Sequence, residues 1–207
     1  MRNSLKFSLL AVVFILGYTS LSFELIILRQ LINFVGSNTL ITSVIMAFIL
    51  LFLSCGYYIG STVSLAAYPL RLKSIKLIVL LSFWYVGACS YPMIGALFRA
   101  LMDVGVESVL LQVFIVSAIL LPFPSATLGF ITAAYGRIIH HFNSDYTGRF
   151  MAVDTIGSVS GSLLTTLILM PMFGVSMAVI FLTFLTSLCV VILSPKKDFV
   201  LNMMKCA

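Results

Sequence analysis

Acidic side chains are scarce in this sequence. Its 207 residues include six Asp and Glu, two histidines, four cysteines and one tryptophan. So few carboxylates and imidazoles leave little material for a metal centre or an acid–base pair, and neither metal nor cofactor is expected. The cysteines, Cys55, Cys89, Cys189 and Cys206, never fall at redox or zinc-binding spacing. Three of them lie in apolar segments, where a free thiol behaves as a small hydrophobe. Charge of either sign is short, at 9% of residues, against about 25% in a soluble domain. That leaves too little polar surface to coat a globule in water.

What the sequence has in excess is hydrocarbon. Hydrophobic residues make up 61% of the chain and the mean hydropathy is +1.19. The expected fold class is all-α, a polytopic membrane protein. A membrane bundle uses up the length, with no room for a second, water-soluble catalytic domain. The net charge of +6 does not indicate nucleic acid, because the basic residues form no stripe. In a membrane protein they record insertion direction instead.

A spanning helix needs about 20 mostly apolar residues. Six such runs are expected, at 7–28, 40–65, 77–98, from 108 onward through Pro122 and Pro124, 150–170 and 174–193. They form a single bundle over residues 1–194, followed by a short tail, 195–207. Asn33, Gly36, Ser37 and Asn38 mark the first turn. The first run follows Arg2 and Lys6 like a signal peptide, but it is too long and no small-x-small cleavage site follows. It reads as an uncleaved membrane helix. With six crossings, ten basic residues (Arg2, Lys6, Arg71, Lys73, Lys76, Arg137, Arg149, Lys196, Lys197, Lys205) fall on one side, and Arg29 and Arg99 on the other. The positive-inside bias then places both termini in the cytoplasm, in a bacterial inner membrane.

Pro122 and Pro124 remove backbone donors, so the helix there is expected to break or bend toward the bundle, with its freed carbonyls needing a partner. Such a bend makes either a cavity wall or a packing kink. Gly56-x-x-x-Gly60 and Gly157-x-x-x-Gly161 offer flat strips for close helix approach. Internal packing is one use and a subunit interface the other. Helices two and five are counterparts if the six spans are two inverted three-helix units.

Two carboxylates lie at membrane depth, where ionisable groups are costly and mark function. Glu24 is expected about one turn from the outer end of the first helix, facing the bundle. There it accepts hydrogen bonds from the following loop, from Arg29 or from a hydroxyl on a neighbouring helix. Asp154 is expected one turn inside the opposite end of the fifth, near Arg149. The two then lie near opposite faces and act in series, if at all. His140 and His141 are expected at the cytoplasmic end of the fourth helix, a pH-sensitive charge rather than a haem or metal site.

The stretch Ser20-Leu-Ser-Phe-Glu24-Leu-Ile-Ile-Leu-Arg29, with Gly36-Ser37, resembles the first helix of the membrane-embedded spermidine synthase-like family. Gly148-Arg-Phe-Met-Ala-Val-Asp154-Thr-Ile-Gly157-Ser-Val-Ser-Gly161, ending in Leu-Met-Pro171-Met-Phe-Gly174, resembles a second segment of that family. There the family typically has an aromatic where this chain has Met151 and an asparagine where it has Asp154. Pro122 and Gly129 match a Pro-rich helix of the family. The resemblance implies a bundle like half of a major-facilitator transporter. Members often add a soluble aminopropyltransferase domain. Here no strand–Gly-rich loop–helix unit follows, and the tail 195–207 is too short to fold, so that activity is not expected.

Two functions follow as expectations. One is a non-catalytic membrane subunit that docks or anchors a protein partner, alone or as a homo-oligomer. The other is an oligomeric transporter of a small molecule or ion, for a polyamine-like cation or coupled to protons. Membrane lipid surrounds either; nucleic acid is excluded, and the sequence identifies no small-molecule ligand.

Overall fold

Apolar runs of this length satisfy their backbone groups in a lipid environment only by coiling into helices or closing a barrel, and this chain coils. The computed structural model describes residues 3–36, 38–62, 67–88, 91–142 and 145–193. They form α1 (Asn3–Val35), α2 (Thr39–Thr62), α3 (Ala67–Ala88), α4 (Tyr91–Asp103), α5 (Val109–Leu120), α6 (Pro122–Phe142), α7 (Asp145–Leu164), a π-helical turn (Thr165–Leu169) and α8 (Met170–Leu193). Among the described residues there is no strand. Ser37, positions 63–65, Cys89, Arg2 and everything from 194 on lie outside the described residues, including the tail 195–207 with Lys196, Lys197, Lys205 and Cys206.

Three runs are long and apolar enough to cross a membrane: Phe7–Val35, Thr39–Thr62 and Tyr146–Leu193. Two bent pairs pass the same test jointly. Leu70–Gly87 with Tyr91–Asp103 turns through 70°, and Val109–Leu120 with Pro122–His141 through 46°. Counting each pair as one crossing gives five, so the six expected runs do not all stand as separate straight helices.

The departures have local causes. The third helix was expected over 77–98, after the charges Arg71, Lys73 and Lys76. These residues instead build the first turns of α3, and a second helix, α4, begins at Tyr91. Arg71 is buried, and its Nε donates to the Leu193 carbonyl at the end of α8. A charge read as loop therefore serves as a cap on another helix. The first helix does not stop at 28. Leu31 is fully buried and prolongs it until Gly36, whose φ of +80° ends it with a bond from Gly36 N to Ile32 O of 2.8 Å. Asn38 then caps α2 through Oδ1, which accepts from Leu40 N at 3.1 Å.

Pro171 was expected to end the fifth helix. The helix instead widens into the π turn Thr165–Leu169 immediately before the ring, which relaxes the clash a proline makes with the preceding turn. The break comes at Gly174, with φ 80° and ψ 169°.

Three helix pairs organise the bundle. α1 and α7 run parallel. Gly157 lies on the Phe14 carbonyl, Gly161 on the Tyr18 carbonyl, and Thr165 Oγ1 bonds Ser22 Oγ, all at one separation of 143 residues. α2 and α6 are also parallel, with Gly56 on the Ala126 carbonyl and Gly60 on that of Phe130. α3 and α8 run antiparallel, since Arg71 meets Leu193 while Ser82 meets Thr186 at 2.9 Å.

The two parallel pairs share one design. In each, two glycines four residues apart sit on carbonyls of the partner, and the partner returns a glycine of its own. Gly17 lies on the Asp154 carbonyl and Gly129 on the Leu53 carbonyl. The spacing of Asp154, Gly157 and Gly161 repeats in Leu53, Gly56 and Gly60. That of Phe14, Gly17 and Tyr18 repeats in Ala126, Gly129 and Phe130.

A side chain at Gly56 has nowhere to go, whereas nothing lies within 4 Å of a Cβ placed on Gly87. In thermal unfolding of the purified protein, Gly56→Leu is expected to cost at least ~1–3 kcal/mol, as overpacking does. Gly87→Ala is expected to be neutral or to stabilise by up to about 1 kcal/mol. Equal tolerance at both sites would show that the pair does not depend on backbone contact.

Candidate intramembrane carboxylate site

Gly17 sets the position of the first carboxylate. Because it has no side chain, the α7 backbone closes on α1 there, and Asp154 Oδ1 comes to 2.9 Å from where a Gly17 Cβ would stand. Ser158, one turn on, donates its hydroxyl to the Gly17 carbonyl at 3.2 Å. Glu24 is seven residues beyond Gly17 on α1. That spacing is close to two full turns, so it shares that face about 10 Å further along the axis. Gly17 and Glu24 bracket the middle of the Phe7–Val35 run.

The helix ends lie further from both carboxylates than expected. α1 continues to Val35 and α7 begins at Asp145. Both carboxylates thus lie two or more turns inside their helices, where one turn was expected.

Tyr57, on α2, lies within electrostatic reach of both Asp154 and Glu24. Its neighbour Gly56 is fixed against α6, and Tyr57 itself is 41% exposed. The sequence reading passed over it.

Neither carboxylate has a hydrogen-bond or ion-pair partner among the described residues. Asp154 Oδ1 is buried with no hydrogen-bond partner. Glu24 is half-buried, and no hydrogen bond or ion pair reaches it among the described residues. The expected bonds from the loop, from Arg29 or from a hydroxyl are absent there, because the loop begins three turns further on. Arg29 is exposed. Arg149 does not turn to Asp154; its guanidinium stacks over the Tyr146 ring, 5.1 Å from the centroid. The nearby hydroxyls of Ser22 and Thr165 are occupied with each other at 2.8 Å.

Pro122 and Pro124 break the helix as expected. α5 ends at Leu120, and Pro122 opens α6 at the position where a missing N–H costs least. Pro124 cannot donate to Leu120, and Trp84 Nε1 fills the vacancy with a 3.1 Å bond to the Leu120 carbonyl. Both Gly-x-x-x-Gly strips are used within the bundle, so neither is open as a subunit interface. His140 and His141 occupy the last turn of α6, at the helix end where they were expected, and both are exposed. Cys189 is buried and Cys55 exposed, both as free thiols. Among the described residues no three His, Cys, Asp or Glu converge on a metal position.

No protein-family model, curated protein or solved structure matches this chain.

Because these carboxylates are desolvated without partners, removing them should stabilise the fold. Asp154→Ala and Glu24→Leu are each expected to raise stability by about 1–3 kcal/mol, the usual cost of an unsatisfied buried polar group. Glu24→Gln should change it little. A lower melting temperature for Glu24→Leu than for the parent would show that Glu24 has a structural partner.

Proposed function

We propose that this chain is an integral membrane protein that moves a proton or small cation along Glu24 and Asp154. The observation that carries this reading is the pair of unpartnered carboxylates at mid-height of α1, with Tyr57 in reach of both. Ionisable groups kept at membrane depth without a neutralising partner are retained for what they bind.

The architecture supports the same reading. A helix of 48 residues, the length of Tyr146–Leu193, extends about 70 Å if straight, more than twice a bilayer core of about 30 Å. The break at Gly174 supports counting it as two crossings, six in all. The shared glycine design pairs α1 with α6 and α2 with α7, and α3 packs on α8. These are the correspondences of two inverted three-helix units, in which substrates bind near the midplane between repeats. Both termini then lie on the side of Arg71, Arg137 and Arg149, the cytoplasmic side by the positive-inside bias. The resemblance to the spermidine synthase-like membrane bundle, itself like half of a major-facilitator transporter, favours two copies per carrier.

One observation keeps a second reading, a non-catalytic subunit that docks a protein partner. α4 is set at 70° to α3 and exposes Tyr91, Met93 and Met102.

Purified protein in liposomes decides between them. Proton or monovalent-cation flux should fall on the order of tenfold or more in Glu24→Gln and Asp154→Asn, with assembly unchanged. Absence of flux above empty vesicles, together with a stoichiometric co-purifying protein, would favour docking.

A further inference from the structure

One end of the bundle is ringed by cations. α2 and α8 both end there, with Arg137 Nη1 donating to the Ser61 carbonyl and Arg71 Nε to that of Leu193. These two guanidinium groups are committed to helix ends. Lys73, Lys76 and Arg149 are not: all three are exposed, and no hydrogen bond or ion pair holds them among the described residues. Of the carboxylates whose side chains are described, Glu24 and Asp154 lie within the spans, Asp103 ends α4 and Glu107 lies in the α4–α5 connection, both at the other end.

Each of these cations stands at the head of an exposed apolar stripe. On α3, Lys73 and Lys76 share a face with Leu80 and Phe83, which are 53% and 74% exposed. On α7, Arg149 heads the face of Ile156, Val159 and Leu163, exposed by 60%, 51% and 53%. A dissolved anion needs only the cation. A molecule that uses the whole stripe has an anionic head and a hydrocarbon tail aligned with the helix.

We propose that these stripes on α3 and α7 bind anionic phospholipids, the phosphate at Lys73 and Lys76 or at Arg149 and an acyl chain along the apolar residues that follow. Charge complementarity supports the head contact, since cations near an anionic lipid surface attract it strongly. The exposed hydrocarbon supports the tail. The inference stands whether or not the protein transports anything, because it uses neither Glu24 nor Asp154.

The test uses the full chain in nanodiscs of phosphatidylcholine, with or without phosphatidylglycerol of the same acyl composition. Native mass spectrometry counts retained lipids and thermal unfolding reports their effect. The parent should retain phosphatidylglycerol selectively and melt higher with it. Replacing each cation by glutamine should lower that retention on the order of fivefold, and Lys73→Gln with Lys76→Gln and Arg149→Gln by more than about tenfold. Lys73→Arg and Arg99→Gln should leave it unchanged. Equal retention of the two lipids by the parent would overturn the proposal, and this arm needs no variant to fold. So would an equal melting shift from inorganic phosphate in phosphatidylcholine discs, since a soluble anion would then suffice.

Discussion

Close approach of backbone to backbone is the constraint on which this bundle depends. In lipid, helices gain nothing by hiding apolar side chains from one another, so they associate through contact and hydrogen bonding. Here that contact is made by glycines. Gly157 and Gly161 let α7 lie on the carbonyls of Phe14 and Tyr18, and Gly56 and Gly60 do the same between α2 and α6. Gly17 and Gly129 complete each seam from the other side. With the backbones this near, the side chains beside the seam have little freedom. Asp154 stands next to Gly17 because the seam puts it there, and Glu24 stands two turns on because the helix period does.

The same constraint explains how carboxylates persist in so apolar a setting. A charge at the centre of a membrane helix raises the insertion cost by roughly 2.5–3.5 kcal/mol on translocon scales. Two helix pairs held by many van der Waals contacts can absorb such a cost without a compensating ion pair. The hydroxyls near the seam do not relieve it: Ser158 is turned to a backbone carbonyl, and Ser22 and Thr165 to each other. The two carboxylates are left without a bonding partner among the described residues.

Much of this was legible in the sequence, and the rest was hidden for physical reasons. Composition alone predicts a helical membrane protein, and the long apolar helices fit that. The Gly-x-x-x-Gly spacing indicates close packing, and Pro122 with Pro124 indicates a break whose freed carbonyl needs a donor. Trp84 is that donor, but nothing in the sequence joins residue 84 to residue 120. Helix ends were misplaced because Arg71, Lys73 and Lys76 look like a loop until α8 is seen to end beside them. Gly17 went unnoticed because a single glycine makes no motif; its meaning appears only with Asp154 against it. Tyr57 was missed for the same reason, since its significance lies in two helices remote from it in the chain.

The bond from Arg71 to Leu193 also bears on how the protein is made. Its partners are 122 residues apart in the chain. At a synthesis rate of about 5–20 residues per second, on the order of ten seconds pass between the emergence of one and of the other. Through that interval the guanidinium of α3 has no α8 carbonyl to meet. The end of α8 has carbonyls that a much earlier residue caps. Completion of the bundle is thus registered at Arg71, a side chain placed long before the helix that satisfies it exists.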